Sequence, residues 1–203
     1  MTESSAKRAE MRTTHKLLIR CGIFVKYGAI APQECAGLLA GLQAAPGDPA
    51  AIYATPDSSD VREQTRRARS IAPPAALTEP IERLFSELRP ALEDHFHVTL
   101  REHEVPHYLL YRRGDFFVPH RDRPRARDTD ISSRKISGVL FLNDDFSGGD
   151  LQLYGLITGQ RWETVGFSCP PAPGLFVAFP SDVLHEVTPV TGGVRGTVVT
   201  WFF

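Results

Sequence analysis

Residues 174–203 read GLFVAFPSDVLHEVTPVTGGVRGTVVTWFF, and this stretch decides the fold class. Val, Phe, Thr and Trp gather in short runs, broken by Gly174, Pro180, Asp182, Pro189 and Gly192-Gly193. β-Branched and aromatic residues favour a pleated backbone, whereas Gly, Pro and Asp mark the turns between strands. The stretch therefore predicts strands over Gly174–Phe179, Val183–Pro189 and Val194–Phe202. The same texture runs back to about Leu100 and predicts further strands over Val105–Tyr111, Phe116–His120, Lys135–Leu142, Asp150–Leu153 and Arg161–Phe167. Many short strands after a helical half imply an α+β chain, mainly β, with a jelly-roll sheet pair and N-terminal helices buttressing one face.

The upstream half has a different texture. Residues 1–15 lack apolar periodicity and predict a disordered leader, and 16–203 predict a single domain, with helical support and a long loop over 16–100 and the β core over 101–203. Leu17-Leu18-Ile19 and Ile23-Phe24-Val25 read as short strands around Gly22. Pro32, Gln33 and Glu34 suit a helix first turn, Cys35, Leu38, Leu39 and Leu42 form its apolar face, and Pro46-Gly47 ends it. Ala45 to Pro74 reads as a long surface segment. Thr78 can cap the next helix, in which Ile81, Leu84, Phe85, Leu88, Leu92 and Phe96 recur at helical spacing and Pro90 predicts a kink.

At 203 residues and 42% apolar, the chain can bury a core of one enzyme-sized domain. A formal charge of −1 gives no reason to expect nucleic acid or an anionic membrane as partner. Cys21, Cys35 and Cys169 have no metal-like spacing and read as thiols of a reducing compartment. The first residues carry no apolar signal region, and no apolar run approaches membrane-spanning length, so a cytoplasmic location is the expectation. Nothing in the sequence speaks to oligomeric state.

His120-Arg121-Asp122 carries the chemistry. Residues two apart on an extended chain share a face, so His120 and Asp122 can converge on one ion, and His185 from a later strand can supply the second imidazole. Two His and one carboxylate make the facial triad of non-heme Fe(II) oxygenases, which leaves coordination positions open. Zn2+ is the competing ion, although no H-E-x-x-H is present. His15, His95, His97, His103 and His107 lack such a context and are assigned to surface or core. Arg195 offers a planar fork suited to a carboxylate, and Thr197, two residues on, faces the same way.

From about Arg62 to Phe203 these segments resemble the Fe(II)/2-oxoglutarate-dependent dioxygenases, of the prolyl-4-hydroxylase-like or PKHD type. The resemblance lies in Tyr108–Phe117 leading into Val118-Pro119-His120-Arg121-Asp122, in Gly138–Asn143, in the turn Gly148-Gly149-Asp150-Leu151, and in the closing motif from His185 to Arg195. It implies a double-stranded β-helix (jelly roll, cupin-like). It also implies that His120, Asp122 and His185 hold Fe(II), that Arg195 pairs with the distal carboxylate of 2-oxoglutarate, and that Tyr111 supports the same carboxylate. Some prolyl-hydroxylase relatives have a tyrosine where Phe141 stands, so the second donor falls to Tyr111 or Thr197.

The implied reaction couples hydroxylation by O2 to decarboxylation of 2-oxoglutarate to succinate, with ascorbate as a further cofactor. A carboxylate at Asp122 favours hydroxylation over halogenation, since related halogenases carry a small residue there. The substrate is a prolyl or other peptidyl side chain, or alternatively a free amino acid or small metabolite; a non-catalytic metal-binding jelly roll is the remote alternative. Two arginine clusters, Arg62, Arg66, Arg67 and Arg69, and Arg121, Arg123, Arg125 and Arg127, either attract an acidic substrate or form solvated loops paired with Asp128 and Asp130. Trp162 and Trp201 are candidates for pocket wall or β core.

Overall fold

The computed structural model of the protein describes residues 3–55, 58–60, 63–123, 133–159, 162 and 164–203. Among these residues three helices, α1 (Glu3–Arg20), α2 (Pro32–Ala44) and α3 (Ala75–Phe96), lie in the first half. The larger sheet has the order β1 (Phe24–Lys26), β13 (Phe176–Pro180), β9 (Ile136–Phe141), β16 (Arg195–Phe202), β7 (His107–Tyr111), β6 (Arg69–Ile71) and β2 (Gly47–Pro49). The smaller has the order β12 (Gly166–Cys169), β11 (Leu151–Tyr154), β14 (His185–Val187), β8 (Phe116–His120) and β5 (Arg66–Arg67). Two short ribbons pair β10 (Ser147–Gly148) with β15 (Val190–Gly192), and β3 (Ile52–Thr55) with β4 (Ser58–Asp60).

Strand alternation explains the layering. Tyr108 and Leu110 of β7, Leu140 of β9, Phe176 and Ala178 of β13 and Val198 of β16 pack with Leu38 and Leu42 of α2 and Phe85, Leu88 and Leu92 of α3. Their neighbours one position along, Val139, Phe141, Val177 and Phe179, turn the other way and pack with Leu151, Leu153 and Cys169 of the smaller sheet. Leu109 and Tyr111 likewise meet Val187. The larger sheet is thus buried on both faces, which is why its strands read as nearly continuous apolar runs. The smaller sheet alternates instead, with buried Leu151 and Leu153 beside half-buried Gln152 and Tyr154. The protein is a mixed α/β structure, mainly β-sheet.

The N-terminal expectations are corrected. Residues 3–15 of the expected disordered leader are helical, residues 1 and 2 lie outside the described residues, and Leu17-Leu18-Ile19 is no strand: Glu3–Arg20 is one helix. Its docking rests on few side chains. Leu18 is fully buried against the inter-sheet core, and the buried His15 bonds the Tyr27 hydroxyl at 2.6 Å and the Pro170 carbonyl at 2.9 Å. Tertiary contacts of this kind stabilise a helix whose own sequence is only weakly amphipathic.

The segment 45–74 is likewise no plain surface loop. β2 and β6 extend the larger sheet and β5 extends the smaller one, in strands too short to show a period of two. Thr78 does not cap α3, which starts at Ala75; its hydroxyl donates to the Ala75 carbonyl at 3.0 Å. The strand expected over Arg161–Phe167 lies at Gly166–Cys169, and residues 160, 161 and 163 are outside the described residues. The predicted Val183–Pro189 strand ends at Val187, with β15 following as a separate element. Among the described residues no helix is long and apolar enough to cross a membrane.

Candidate metal centre

His120 ends β8, His185 opens β14, and the two are antiparallel partners. Their ring centroids are 4.2 Å apart. Asp122 lies just beyond β8, with Oδ1 3.6 Å from His120 Nε2 and Oδ2 3.4 Å from His185 Nε2. One donor atom from each of the three residues falls within 4.8 Å of the others. Each imidazole is oriented through its far nitrogen: His120 Nδ1 is 2.8 Å from the Val118 carbonyl and His185 Nδ1 2.9 Å from that of Val183. With Nδ1–H donating to a carbonyl, the Nε2 lone pair of the neutral ring faces Asp122. The Ser137 hydroxyl donates to Asp122 Oδ2 at 2.7 Å and lies 3.0 Å from Ser181 Oγ.

This donor set demands positive charge. Burial pushes the Asp122 carboxyl up, but the charges and hydrogen bonds of the two imidazoles outweigh it and hold it well below the usual carboxylate range. Burial lowers His120, with His185 adding to that effect, whereas at His185 burial is overcome by the Asp122 charge and hydrogen bond and the net direction is upward. Two imidazole nitrogens and a carboxylate oxygen, converging and oriented from behind, fit Fe(II), with positions left open.

Arg195 opens β16 opposite Tyr111 of β7 and is 2% exposed. Its guanidinium carbon is 5.1 Å from the Tyr111 ring centroid and 5.3 Å from that of Phe141. Nη1 donates to Thr197 Oγ1 at 3.1 Å, and the buried Nε has no partner. No ion pair to Arg195 is found among the described residues. Burial, the leading influence, pulls its pKa down, since a charge without a partner is disfavoured away from water. Arg195, Tyr111 and Thr197 line one pocket with His120, Asp122 and His185, so all six residues singled out in the sequence meet in one place.

Other expectations separate. Trp201 lines the pocket, whereas Trp162 is exposed. Arg66 is buried and faces the pocket, but Arg67 and Arg121 are exposed, Arg69 bonds the Gly47 carbonyl and Arg123 pairs with Asp182 at 2.7 Å. Arg62, Arg125, Arg127, Asp128 and Asp130 lie outside the described residues. Sequence reading missed Ser137 and Ser181, which carry no motif, and Phe117, which stacks on His120 at 3.5 Å. Only their positions relative to His120 and His185, on strands for Ser137 and Phe117 and in the turn after β13 for Ser181, could have raised them.

Comparison with known proteins agrees with this geometry. The sequence model of the 2OG-Fe(II) oxygenase superfamily matches residues 106–203. A PKHD-type hydroxylase of Synechococcus sp. (strain CC9605) is 37% identical over 100 residues, covering 47% of this chain and 41% of that protein. One of Picosynechococcus sp. (strain ATCC 27264 / PCC 7002 / PR-6) is 31% identical over 131 residues, covering 63% and 56%. The chain thus spans roughly half the length of these curated relatives or less. Among solved structures, a Pseudomonas putida prolyl-4-hydroxylase superposes with a TM-score of 0.69 at 26% identity, covering 95% of this chain and 97% of that one. A Trichoplax adhaerens prolyl hydroxylase, in complex with a hypoxia inducible factor oxygen degradation domain peptide fragment, shares the fold with a TM-score of 0.70 at 16% identity, covering 100% and 94%. The histidines, aspartate and buried arginine of the site all lie inside residues 106–203, the segment that matches the 2OG-Fe(II) oxygenase superfamily and is similar to PKHD-type hydroxylases and prolyl hydroxylases.

Proposed function

We propose that the protein is an Fe(II)- and 2-oxoglutarate-dependent hydroxylase acting on a prolyl or other peptidyl side chain, with 2-oxoglutarate and O2 consumed and succinate and CO2 released. One observation carries the reading: the unpaired, buried Arg195 guanidinium shares a pocket with three converging ligand donors. A site that only held a metal would gain nothing from such a costly cation, whereas a dicarboxylate satisfies it. The sheet pair is read as a double-stranded β-helix with the site at its interior. The peptide named with the Trichoplax structure supports a peptidyl substrate.

His120 and His185 would hold the iron through Nε2 and Asp122 through its carboxylate. The metal supplies O2 activation; the chain supplies placement and exclusion of water. Arg195 grips the distal carboxylate of 2-oxoglutarate, with the Thr197 hydroxyl steadying its fork and the Tyr111 ring beneath it. Val118 and Val183 carbonyls hold both imidazoles in the ligating tautomer, and Phe117 and Phe179 wall them with apolar surface.

Under anaerobic conditions, Fe(II) with 2-oxoglutarate is expected to give a visible charge-transfer absorption, lost in Arg195→Ala at the same co-substrate concentration. A folded wild-type protein without that absorption would overturn the reading.

A further inference from the structure

Arg66 is the one arginine of the two basic clusters, among the described residues, that is buried, at 9% exposed. β5 places it opposite Phe117 of β8, one strand away from His120. Its guanidinium carbon sits 4.8 Å from the Phe117 ring centroid, and that ring in turn stacks on His120. Nη1 donates to the Ala51 carbonyl at 3.0 Å, but the buried Nε has no partner, and no ion pair to Arg66 is found among the described residues. A second unmet donor is close by: Trp201 Nε1 is buried and unbonded.

Arg66 and Trp201 line the metal pocket and also a second cavity that continues from His120 and Asp122 past His107, Arg121 and Arg134. Among the described residues, the acidic groups in or next to this cavity are already engaged. Asp122 faces the two imidazoles, and Glu104 takes a twofold contact from Arg134, at 2.5 and 2.6 Å. His107, edge-on to Trp201, is kept toward its neutral form by burial. Among the described residues the mouth of the site therefore holds one buried cation without a counter-ion, Arg66, next to the exposed Arg121, which bonds the Asp182 carbonyl, and two buried N–H donors without acceptors. Arg195, on the far side, feels the Arg66 charge as a repulsion.

We propose that the primary substrate carries a carboxylate, seated on Arg66 with Trp201 Nε1 as an additional donor, beside the carbon presented to the metal. This rests on the hydroxylase reading and names its substrate class. A neutral carbonyl would fill the donors but leave a desolvated cation uncompensated; a carboxylate does both. Two carboxylate ligands, one on Arg66 and one on Arg195, would also offset the repulsion between these two arginines. The carboxylate has two sources, the free α-carboxylate of an amino-acid derivative or an acidic side chain within a peptide.

The test uses full-length protein loaded with Mn(II) and 2-oxoglutarate under argon, with binding followed by calorimetry. One arm compares N-acetyl-L-amino acids with their carboxamides; the other compares end-blocked pentapeptides carrying Asp with the same peptides carrying Asn. In at least one arm the acid is expected to bind about 10- to 100-fold more tightly than its neutral twin. The preferring arm identifies the source. In Arg66→Gln the preference should collapse to about 1-fold, and in Arg66→Lys part of it should return. Because the acid-to-amide ratio is taken within each variant, a purely structural loss cancels from it. The proposal is overturned if neither arm favours the acid, or if Arg66→Gln keeps the wild-type preference. The charge-transfer absorption of the wild type reports separately on the hydroxylase reading, so the two can fail independently.

Discussion

His120 and His185 face each other as antiparallel partners, and each directs Nδ1 to the carbonyl two residues earlier on its own chain, Val118 and Val183. The same local bond on both strands presents two Nε2 atoms to one point before any metal arrives. The third donor has no such support, because Asp122 lies beyond the end of β8. Its position is held from the other sheet, by Ser137 on β9.

That dependence predicts the behaviour of Ser137→Ala. The change removes one hydroxyl from a buried site and leaves the Asp122 carboxylate without its 2.7 Å donor. Loss of such an outer partner typically weakens a metal site by about 10- to 100-fold. Manganese titration followed by electron paramagnetic resonance, with circular dichroism as a control for folding, should show that loss; an unchanged affinity would mean that the imidazoles alone fix Asp122.

The turn after β10 predicts a second coupling. Gly149 has φ +64°, and a Cβ there would lie 2.8 Å from Val190 Cγ2 and 3.1 Å from Arg195 Cδ. Gly149→Ala should lower stability by about 1–3 kcal/mol from backbone strain. It should also push the stem of Arg195 and weaken 2-oxoglutarate binding while metal affinity is kept. Thermal unfolding and a co-substrate titration separate these effects. A stability loss with wild-type co-substrate affinity would disconnect the turn from the arginine.

Strand signals survive in sequence where a strand is buried on both faces. Ile136–Phe141 and Arg195–Phe202 are long, apolar and bounded by turns, and the predicted limits lie within one residue of those observed. The convergence of His120, Asp122 and His185 was legible from the H-x-D spacing and a later His, although Asp122 lies just past β8 and not on it, and a guanidinium ten residues past the second His has few uses in a core. α1 was illegible because its docking depends on isolated contacts, Leu18 and His15, that meet partners far away in the chain. β5 was illegible because two residues carry no period, yet that short strand decides which of several neighbouring arginines reaches the pocket. Ser137 reads as an ordinary strand serine until β9 is set against the metal site.

The docking of α1 predicts a pH dependence. His15 is 1% exposed, and burial lowers its pKa below the ordinary value near 6.5, only partly opposed by the bond to the Pro170 carbonyl. The unfolded chain therefore binds a proton that the folded chain resists. The contribution of this group to stability is complete above about pH 6.5 and is lost as pH falls from there through the folded-state pKa. Urea unfolding between about pH 8 and pH 5 should show the wild-type midpoint falling more steeply than that of His15→Gln, which carries no titrating ring. Amide exchange along residues 9–20 should quicken over the same range, since protonation sets a charge against the inter-sheet core. Parallel midpoint curves for the two proteins would show that the ring takes up its proton equally in the folded and the unfolded chain, and that α1 is held by Leu18 and its apolar neighbours alone.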